Sequence, residues 1–373
     1  MSIRHVLGIS GGKDSAALAI YLNKLYPELN IDYYFTDTGK ELSETTNFIQ
    51  KLKTYLGKGL HEFMAVKPLE ETHFDNPFDH FLEEYGGYLP SNTARWCTKK
   101  LKLEPFESFI GDRPTISYVG IRGDEDREGY ISKRQNVQSI FPFRQNIWSE
   151  DVIKYVLENL IRLKEVYFEL AEAYEWEGLQ KLIDQPLSQE FTRKQKVKAL
   201  LDVNTKLFNH VVFRMLKDTD YPVGQLDEFP LIDNEENLKL EDIWALLEEA
   251  GVGRPAYYEP LEYEVEINGE PKKGVYSRSR SGCFFCFFQQ KIEWVWLLET
   301  HPSLFAKAQE YEKDGYTWMD SETLGELAKP ERVVAIKKEH YLRTQRTQGK
   351  RNTATWQDEI LASEGVGCAS CFV

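Results

Sequence analysis

No stretch of this 373-residue chain approaches the roughly 20 consecutive apolar residues that a membrane span needs, so a bilayer-spanning protein is not expected. Basic residues are in the minority. Lys and Arg number 46 against 60 Asp and Glu, a formal net charge of -14, which argues against a uniformly basic nucleic-acid coat. Cysteine is sparse, and its five copies do not form a disulfide framework in a reducing compartment. Met1-Ser2-Ile3-Arg4 runs straight into an apolar segment with no room for a secretory leader. The expectation is a cytoplasmic protein of two domains, or of one large domain with an insertion.

What is present first is alternation. Residues 1 to about 145 pair short apolar runs (His5–Ser10, Ile31–Thr36, Glu62–Val66, Thr115–Ile121) with helical patterns (Ser15–Tyr26, Leu42–Leu56, Pro77–Tyr85). This predicts an α/β fold, a doubly wound and mostly parallel sheet with helices on both faces. Ligands in such sheets sit beyond the carboxyl ends of the strands. Residues 150 to 228 read as mostly helical, in segments such as Ser149–Ala173 and Arg193–Asp218, and carry no motif of known chemistry. Phe141-Pro142 and Phe229-Pro230 each precede an acidic helix start, as if the stretch between were inserted into one pattern. The predicted organisation is 1–150 nucleotide-binding domain, 151–228 helical insertion and 229–373 cysteine-bearing region, with an irregular loop at Tyr257–Gly274.

The run Ser10-Gly11-Gly12-Lys13-Asp14-Ser15 stands between the first strand and the first helix. Paired glycines let the backbone fold closely round a phosphate, and the first N–H groups of the helix point at it. Ser10, Ser15 and Lys13 add donors, and Asp14 is the candidate magnesium holder. A Walker loop has a different spacing and is excluded. Asp37-Thr38-Gly39 follows the second strand, where an acidic residue can meet an adenosine or a metal. Arg122, in Gly120-Ile121-Arg122 after a later strand, has the planar fork that binds two anionic oxygens at once; an ion pair with Asp124 or Glu125 is the structural alternative.

Cys97 lies in Arg95-Trp96-Cys97-Thr98-Lys99-Lys100-Leu101-Lys102, where Lys99, Lys100 and Lys102 would favour a thiolate. Cys283 and Cys286 form one Cys-x-x-Cys pair, flanked by Phe284, Phe285, Phe287 and Phe288, and Cys368 and Cys371 form another. Three readings of these thiols stay open: structural zinc held by the two pairs, an iron–sulfur centre, or metal-free redox or persulfide-carrying thiols. Lys329 to Arg351 is a locally basic segment, read either as a solvated helix face or as a phosphate-contacting surface.

The glycine turn resembles the PP-loop of the ATP pyrophosphatase and sulfonucleotide reductase superfamily. The loop after the second strand, the Gly-Ile-Arg loop and the Arg-x-Gly-Cys-x-x-Cys context are similar to its phosphoadenylyl-sulfate-reductase-like branch. The resemblance spans residues 8 to 286, and departs at Thr98, where the family has a second cysteine, and in the tail, which lacks a Cys-Gly-Ile/Leu-His motif. Within the branch the chain looks like the ATP-pyrophosphatase component of DNA phosphorothioation systems of the Dnd and Ssp kind.

That likeness implies ATP and Mg2+, with Ser10, Gly11, Gly12, Lys13, Asp14, Ser15, Asp37, Gly39 and Arg122 around the nucleotide. It implies catalytic roles for Lys13, Asp14, Arg122 and Cys371. It also implies a [4Fe–4S] cluster on Cys97, Cys283, Cys286 and one of Cys368 and Cys371, with zinc the alternative. The implied partners are a cysteine desulfurase as sulfur donor, DNA rather than tRNA as acceptor, other modification-system subunits and a second copy of the chain. A sulfonucleotide reductase producing sulfite and a tRNA sulfurtransferase are the rival activities.

Overall fold

The computed structural model describes residues 3–65, 74–125, 134–313 and 315–350. Strand β1 (Arg4–Gly8) leads to α1 (Lys13–Leu25), β2 (Ile31–Asp37), α2 (Ser43–Leu56), β3 (Leu60–Met64) and α3 (Pro77–Glu84). Then come α4 (Trp96–Thr98), a π-helical turn (Lys99–Leu103), α5 (Glu104–Ile110), β4 (Thr115–Tyr118) and β5 (Val137–Ile140). The insertion holds α6 (Glu150–Glu158), α7 (Leu160–Leu170), α8 (Ala173–Asp184), α9 (Arg193–Val203) and α10 (Thr205–Leu216). The chain closes with α11 (Leu240–Glu249), hairpin strands β6 (Leu261–Ile267) and β7 (Glu270–Tyr276), α12 (Lys291–Thr300), α13 (Pro302–Glu310), α14 (Leu324–Leu327) and α15 (Pro330–Lys350).

The α/β expectation holds. The main sheet has the order β3-β2-β1-β4-β5, and every neighbouring pair is parallel. From β1 the chain winds outward to β2 and β3, then crosses back to β4. The strand order therefore reverses between β1 and β4, the switch point where such sheets open a crevice. β4 is buried at all four positions, which fits a strand between two neighbours with both faces covered. Helix α1 is buried from Lys13 through Leu22, because α11 lies along it opposite the sheet.

Several expectations change. The segment Tyr257–Gly274, read as an irregular loop, contains most of the β6–β7 hairpin. Leu261, Tyr263, Val265 and Ile267 alternate with glutamates, and Asn268-Gly269 turns the chain with φ of 54° and 82°. The two long helices expected in the insertion are each broken at an asparagine, Asn159 and Asn204. The Asn204 side chain accepts from the Leu207 N–H at 2.9 Å and so starts a new helix. Val66 of the third expected strand, the end of the basic segment at Arg351, and Cys368 and Cys371 lie outside the described residues.

The ends of the insertion meet. Leu238 N–H donates to the Phe143 carbonyl at 2.9 Å, and the Asn234 side-chain amide donates to Pro142 at the same distance. Asn209, fully buried on α10, donates to the Asn234 carbonyl at 3.3 Å and accepts from Trp148 Nε1 at 2.9 Å. One hydrophobic core nonetheless runs from Leu7 through the insertion to Ile336. The apolar packing is continuous across the boundaries expected at 150 and 228.

The basic segment is α15, and part of its charge is used inside the fold. Arg332 pairs with Glu322 at 2.7 Å and Glu339 at 3.1 Å, Lys337 pairs with Glu299 at 2.6 Å, and Arg343 donates to Gln290 at 2.6 Å. His340 anchors the same helix through a 2.7 Å hydrogen bond between its Nδ1 and the Tyr263 hydroxyl. Burial holds the His340 imidazole down at about 4, against an ordinary 6.5. A depressed histidine contributes stability above pH 6.5 that is lost as pH falls toward 4. We expect the wild type to lose about 2 kcal/mol more than His340→Gln between pH 7 and pH 4.5 in urea melts. Equal losses in the two proteins would refute the assignment.

Candidate active site at the carboxyl edge of the sheet

The glycine turn joins β1 to α1 at the switch point. Gly11 adopts φ +74°, and a side chain there would collide with Thr45 Cγ2 of α2. Gly12 is the N-cap of α1, and a Cβ on it would lie 2.8 Å from Ser281 Oγ. The turn is braced by its own hydroxyls: Ser10 N–H donates to Ser15 Oγ at 3.1 Å, and Ser15 Oγ donates to the Gly12 carbonyl at 3.2 Å. From the carboxy-terminal region, the buried Tyr257 hydroxyl donates to the Gly11 carbonyl at 2.6 Å.

The charged residues of the turn point inward. Lys13 is 1% exposed; its ammonium lies 3.3 Å from Asp14 and 5.0 Å from the Tyr258 ring centroid. Asp14 is met on one oxygen by Lys13 and on the other by Arg122 Nη1 at 2.5 Å. Arg122, fully buried, also pairs through Nε with Asp124 and through Nη2 with Glu125, both at 3.0 Å. The expected roles shift accordingly. Asp14, with both oxygens facing cations in a dry setting, does not fit a magnesium ligand as placed. The ion-pair alternative for Arg122 is realised, but inside the protein, where it ties α1 to the loop after β4. Gly120 permits that approach, since a Cβ there would lie 2.8 Å from the Asp14 carbonyl oxygen.

The second wall comes from the loop after β2. Asp37 Oδ1 accepts from the Gly39 N–H at 2.7 Å, and Thr38 Oγ1 donates to Glu41 Oε1 at 2.7 Å. Burial first, and the neighbouring Asp37 second, push the Glu41 carboxyl up to about 7. Glu41 pairs with Cys283 in an isolated antiparallel bridge, Phe284 N–H donates to the Lys40 carbonyl at 2.9 Å, and Cys283 Sγ is hydrogen-bonded to Thr38 Oγ1 at 3.2 Å. The first Cys-x-x-Cys pair, some 245 residues away in sequence from Thr38, therefore sits at the mouth of β2. Sequence reasoning missed Glu41, Tyr257 and Ser281 as site residues and assigned Lys102 to the Cys97 thiol; only the tertiary pairing places them at this wall.

Lys102 reaches this wall because Pro105 supplies no N–H to the helix ladder. The turn before it widens into the π-helical Lys99–Leu103, with Glu104 N–H bonded back to the Lys99 carbonyl. Gly8, Ile9, Ser10, Tyr34, Phe35, Thr36, Glu41, Lys102 and Gly282 line a narrow cleft there. Its free interior, about 10 Å³, is room for about one water, so a nucleotide needs the walls to part.

Burial pushes the Cys283 thiol far up, the Glu41 charge adds to the effect, and Lys102 opposes it. Burial also raises Cys286, against the Phe288 N–H and the charges of Arg280, Lys102 and Arg278. Among the described residues no group of three or more His, Cys, Asp or Glu is placed to hold a metal ion, so Cys97 does not complete a site with Cys283 and Cys286. The described residues thus do not by themselves fit an iron–sulfur or zinc centre. Among those residues no helix is long and apolar enough to cross a membrane.

Residues 4–172, less than half of the chain, match the phosphoadenosine phosphosulfate reductase domain. Over 157 residues the chain is 30% identical to the uncharacterized protein MJ0066 of Methanocaldococcus jannaschii, covering 38% of this chain and 30% of that one. It is 25% identical over 173 residues to the tRNA-specific 2-thiouridylase MnmA of Aeromonas salmonicida, covering 38% and 45% of the two chains. Against the MnmA of Aeromonas hydrophila it is 27% identical over 128 residues, covering 31% and 32%. The matches thus span less than half the length of these curated relatives.

Two changes test the turn. Arg122→Met leaves three carboxylates together without their guanidinium and should cost about 3–5 kcal/mol in urea melts, whereas a loss under 1 kcal/mol would show the ion pairs to be incidental. Gly11→Ala should destabilise by about 1–3 kcal/mol, and Thr45→Ser, which removes the obstructing methyl, should recover part of that loss.

Proposed function

We propose that the protein is an ATP pyrophosphatase that activates a nucleic acid for sulfur transfer, with the DNA backbone as acceptor. The observation that carries this reading is the clamp between the Cys283 loop and the Thr38–Glu41 loop, which sets a sulfur atom beside the cleft that opens next to the glycine turn. The match to a sulfonucleotide-handling domain and the likeness to tRNA thiouridylases support it.

In this reading the glycine turn and the start of α1 hold the polyphosphate of ATP through backbone N–H groups. An acceptor oxygen attacks the α-phosphorus; the bond to the β-phosphate oxygen breaks, and pyrophosphate leaves with the electron pair. A persulfide supplied by a cysteine desulfurase then displaces AMP from the activated acceptor atom, and a second thiol cleaves the S–S bond so formed, which leaves the sulfur on the acceptor and the two thiols joined as a disulfide. Neutralising the charge on departing pyrophosphate is the main contribution asked of the site. Magnesium accompanies ATP in this proposal, and Asp37 with Glu41 is the carboxylate pair beside the cleft. Partner subunits, a homodimer and a cytoplasmic setting belong to the same proposal.

A second reading, tRNA in place of DNA, is favoured by the thiouridylase likeness and keeps the same chemistry. Pyrophosphate release from ATP, measured with and without duplex DNA or bulk tRNA, tests both. We expect release stimulated by DNA, and a fall of about tenfold or more in Lys13→Ala, whose cation lies at the turn. Sulfite formation from a sulfonucleotide with no cleavage of ATP would replace this reading with a reductase. Stimulation by tRNA alone would select the second acceptor.

A further inference from the structure

Of the two arginines buried completely in the described part of the chain, Arg122 is saturated by carboxylates, but Arg278 is not. Arg278 precedes the Cys-x-x-Cys loop at the end of β7. Its Nη2 donates to the Cys283 carbonyl at 3.0 Å, while Nε and Nη1, both buried, have no hydrogen-bond partner among the described residues. No carboxylate of the described residues pairs with it; besides the Cys283 carbonyl, the Trp296 ring lies 5.7 Å from the guanidinium carbon. A charge removed from water and left unpaired costs several kcal/mol. Such a group is retained where an anion arrives to meet it.

Its position says which anion. The Arg278 N–H donates to the Tyr257 carbonyl at 3.0 Å, and the hydroxyl of that same tyrosine holds the Gly11 carbonyl. Burial pushes the Tyr257 phenol up, and the charges of Arg278 and Lys13 oppose it. Three residues on, Ser281 abuts Gly12, and Gly282 lines the cleft. Arg278 thus stands behind the segment that closes over the glycine turn, with its guanidinium tied to the Cys283 backbone.

We propose that Arg278 is the anion-contacting residue of this site, donating its unpartnered N–H groups to a phosphate oxygen of the bound nucleotide's polyphosphate. The proposal rests on the nucleotide-binding part of the function proposed above and adds the residue that receives the charge. A phosphodiester of a polymer shares the chemistry, but Arg278 is 0% exposed and does not itself line the closed cleft, so a ligand meets it only once the walls part, which favours a small polyphosphate over a nucleic-acid backbone. Contact with the phosphate also couples nucleotide binding to the Cys283 loop, because the same guanidinium holds that loop's carbonyl. The fork of Arg122, engaged on all three nitrogens, does not offer this.

The test is isothermal titration of ATP, inorganic pyrophosphate and a short DNA duplex into the wild type, Arg278→Gln and Arg278→Lys, with melting temperatures of each protein alone. Arg278→Gln should weaken ATP and pyrophosphate binding by about tenfold or more, leave DNA binding unchanged, and melt no lower than the wild type, since the unpaired charge is gone. Arg278→Lys keeps a cation near the Cys283 carbonyl but loses the planar fork, and should weaken pyrophosphate binding less than Gln does. If the Gln variant does not fold, the Lys variant decides. Wild-type pyrophosphate affinity in a folded Gln variant or in the Lys variant overturns the proposal, as does a loss confined to DNA. Absence of ATP and pyrophosphate binding by the wild type overturns it as well. A wild type that binds ATP but releases no pyrophosphate removes the proposed activity, yet leaves the role of Arg278 readable from the same titrations.

Discussion

The buried contact between Arg122 and Asp14 is the constraint on which the site depends. It joins the first turn of α1 to the loop after β4 across the point where the strand order reverses. Asp124 and Glu125 complete the guanidinium's partners, and Asp124 also accepts the Leu240 N–H at the start of α11. One cation therefore fixes α1, the β4 loop and α11 together. In a low-dielectric interior such pairing is strong only when the buried polar atoms are met, and here each guanidinium nitrogen faces a carboxylate. The close approach it demands is possible because Gly120 presents no side chain to the Asp14 carbonyl.

Onto this frame the carboxy-terminal region adds a cover. Tyr257 reaches the Gly11 carbonyl, Ser281 lies against Gly12, and the Cys283 loop pairs with the loop after β2. These contacts come from residues more than two hundred positions away from the turn, delivered by α11 and the β6–β7 hairpin. The helical insertion does not interrupt them, since its two ends are stitched together at Pro142, Phe143, Asn234 and Leu238. Stability and chemistry thus draw on the same contacts: the cover that buries the turn also brings thiols and Arg278 to its edge.

Much of the sheet was legible in the chain. The strand–turn–helix at Ser10 to Ser15 and the loop at Asp37 to Gly39 lie where alternation places them, because apolar periodicity and glycine turns are local properties. The β6–β7 hairpin was legible too, in its alternating glutamates and its Asn-Gly turn, yet it was read as a loop. The helix breaks at Asn159 and Asn204 depend on backbone geometry that a continuous apolar pattern conceals. The basic character of α15 was plain, but not that Glu322, Glu299 and Gln290 would take up part of it.

The order of residues alone determined the glycine turn, the parallel α/β architecture and the presence of thiol pairs, since each follows from neighbours within a few positions or from a regular period. Only the tertiary structure decided which arginine is neutralised and which is left wanting an anion, and that Cys283 sits beside Thr38. The reason is that compensation of a buried charge, unlike a turn or a helix, is set by groups that meet only after the chain has folded. Arg122 and Arg278 look alike in the sequence; their partners, up to 108 residues distant in the case of Arg122 and Asp14, make them different.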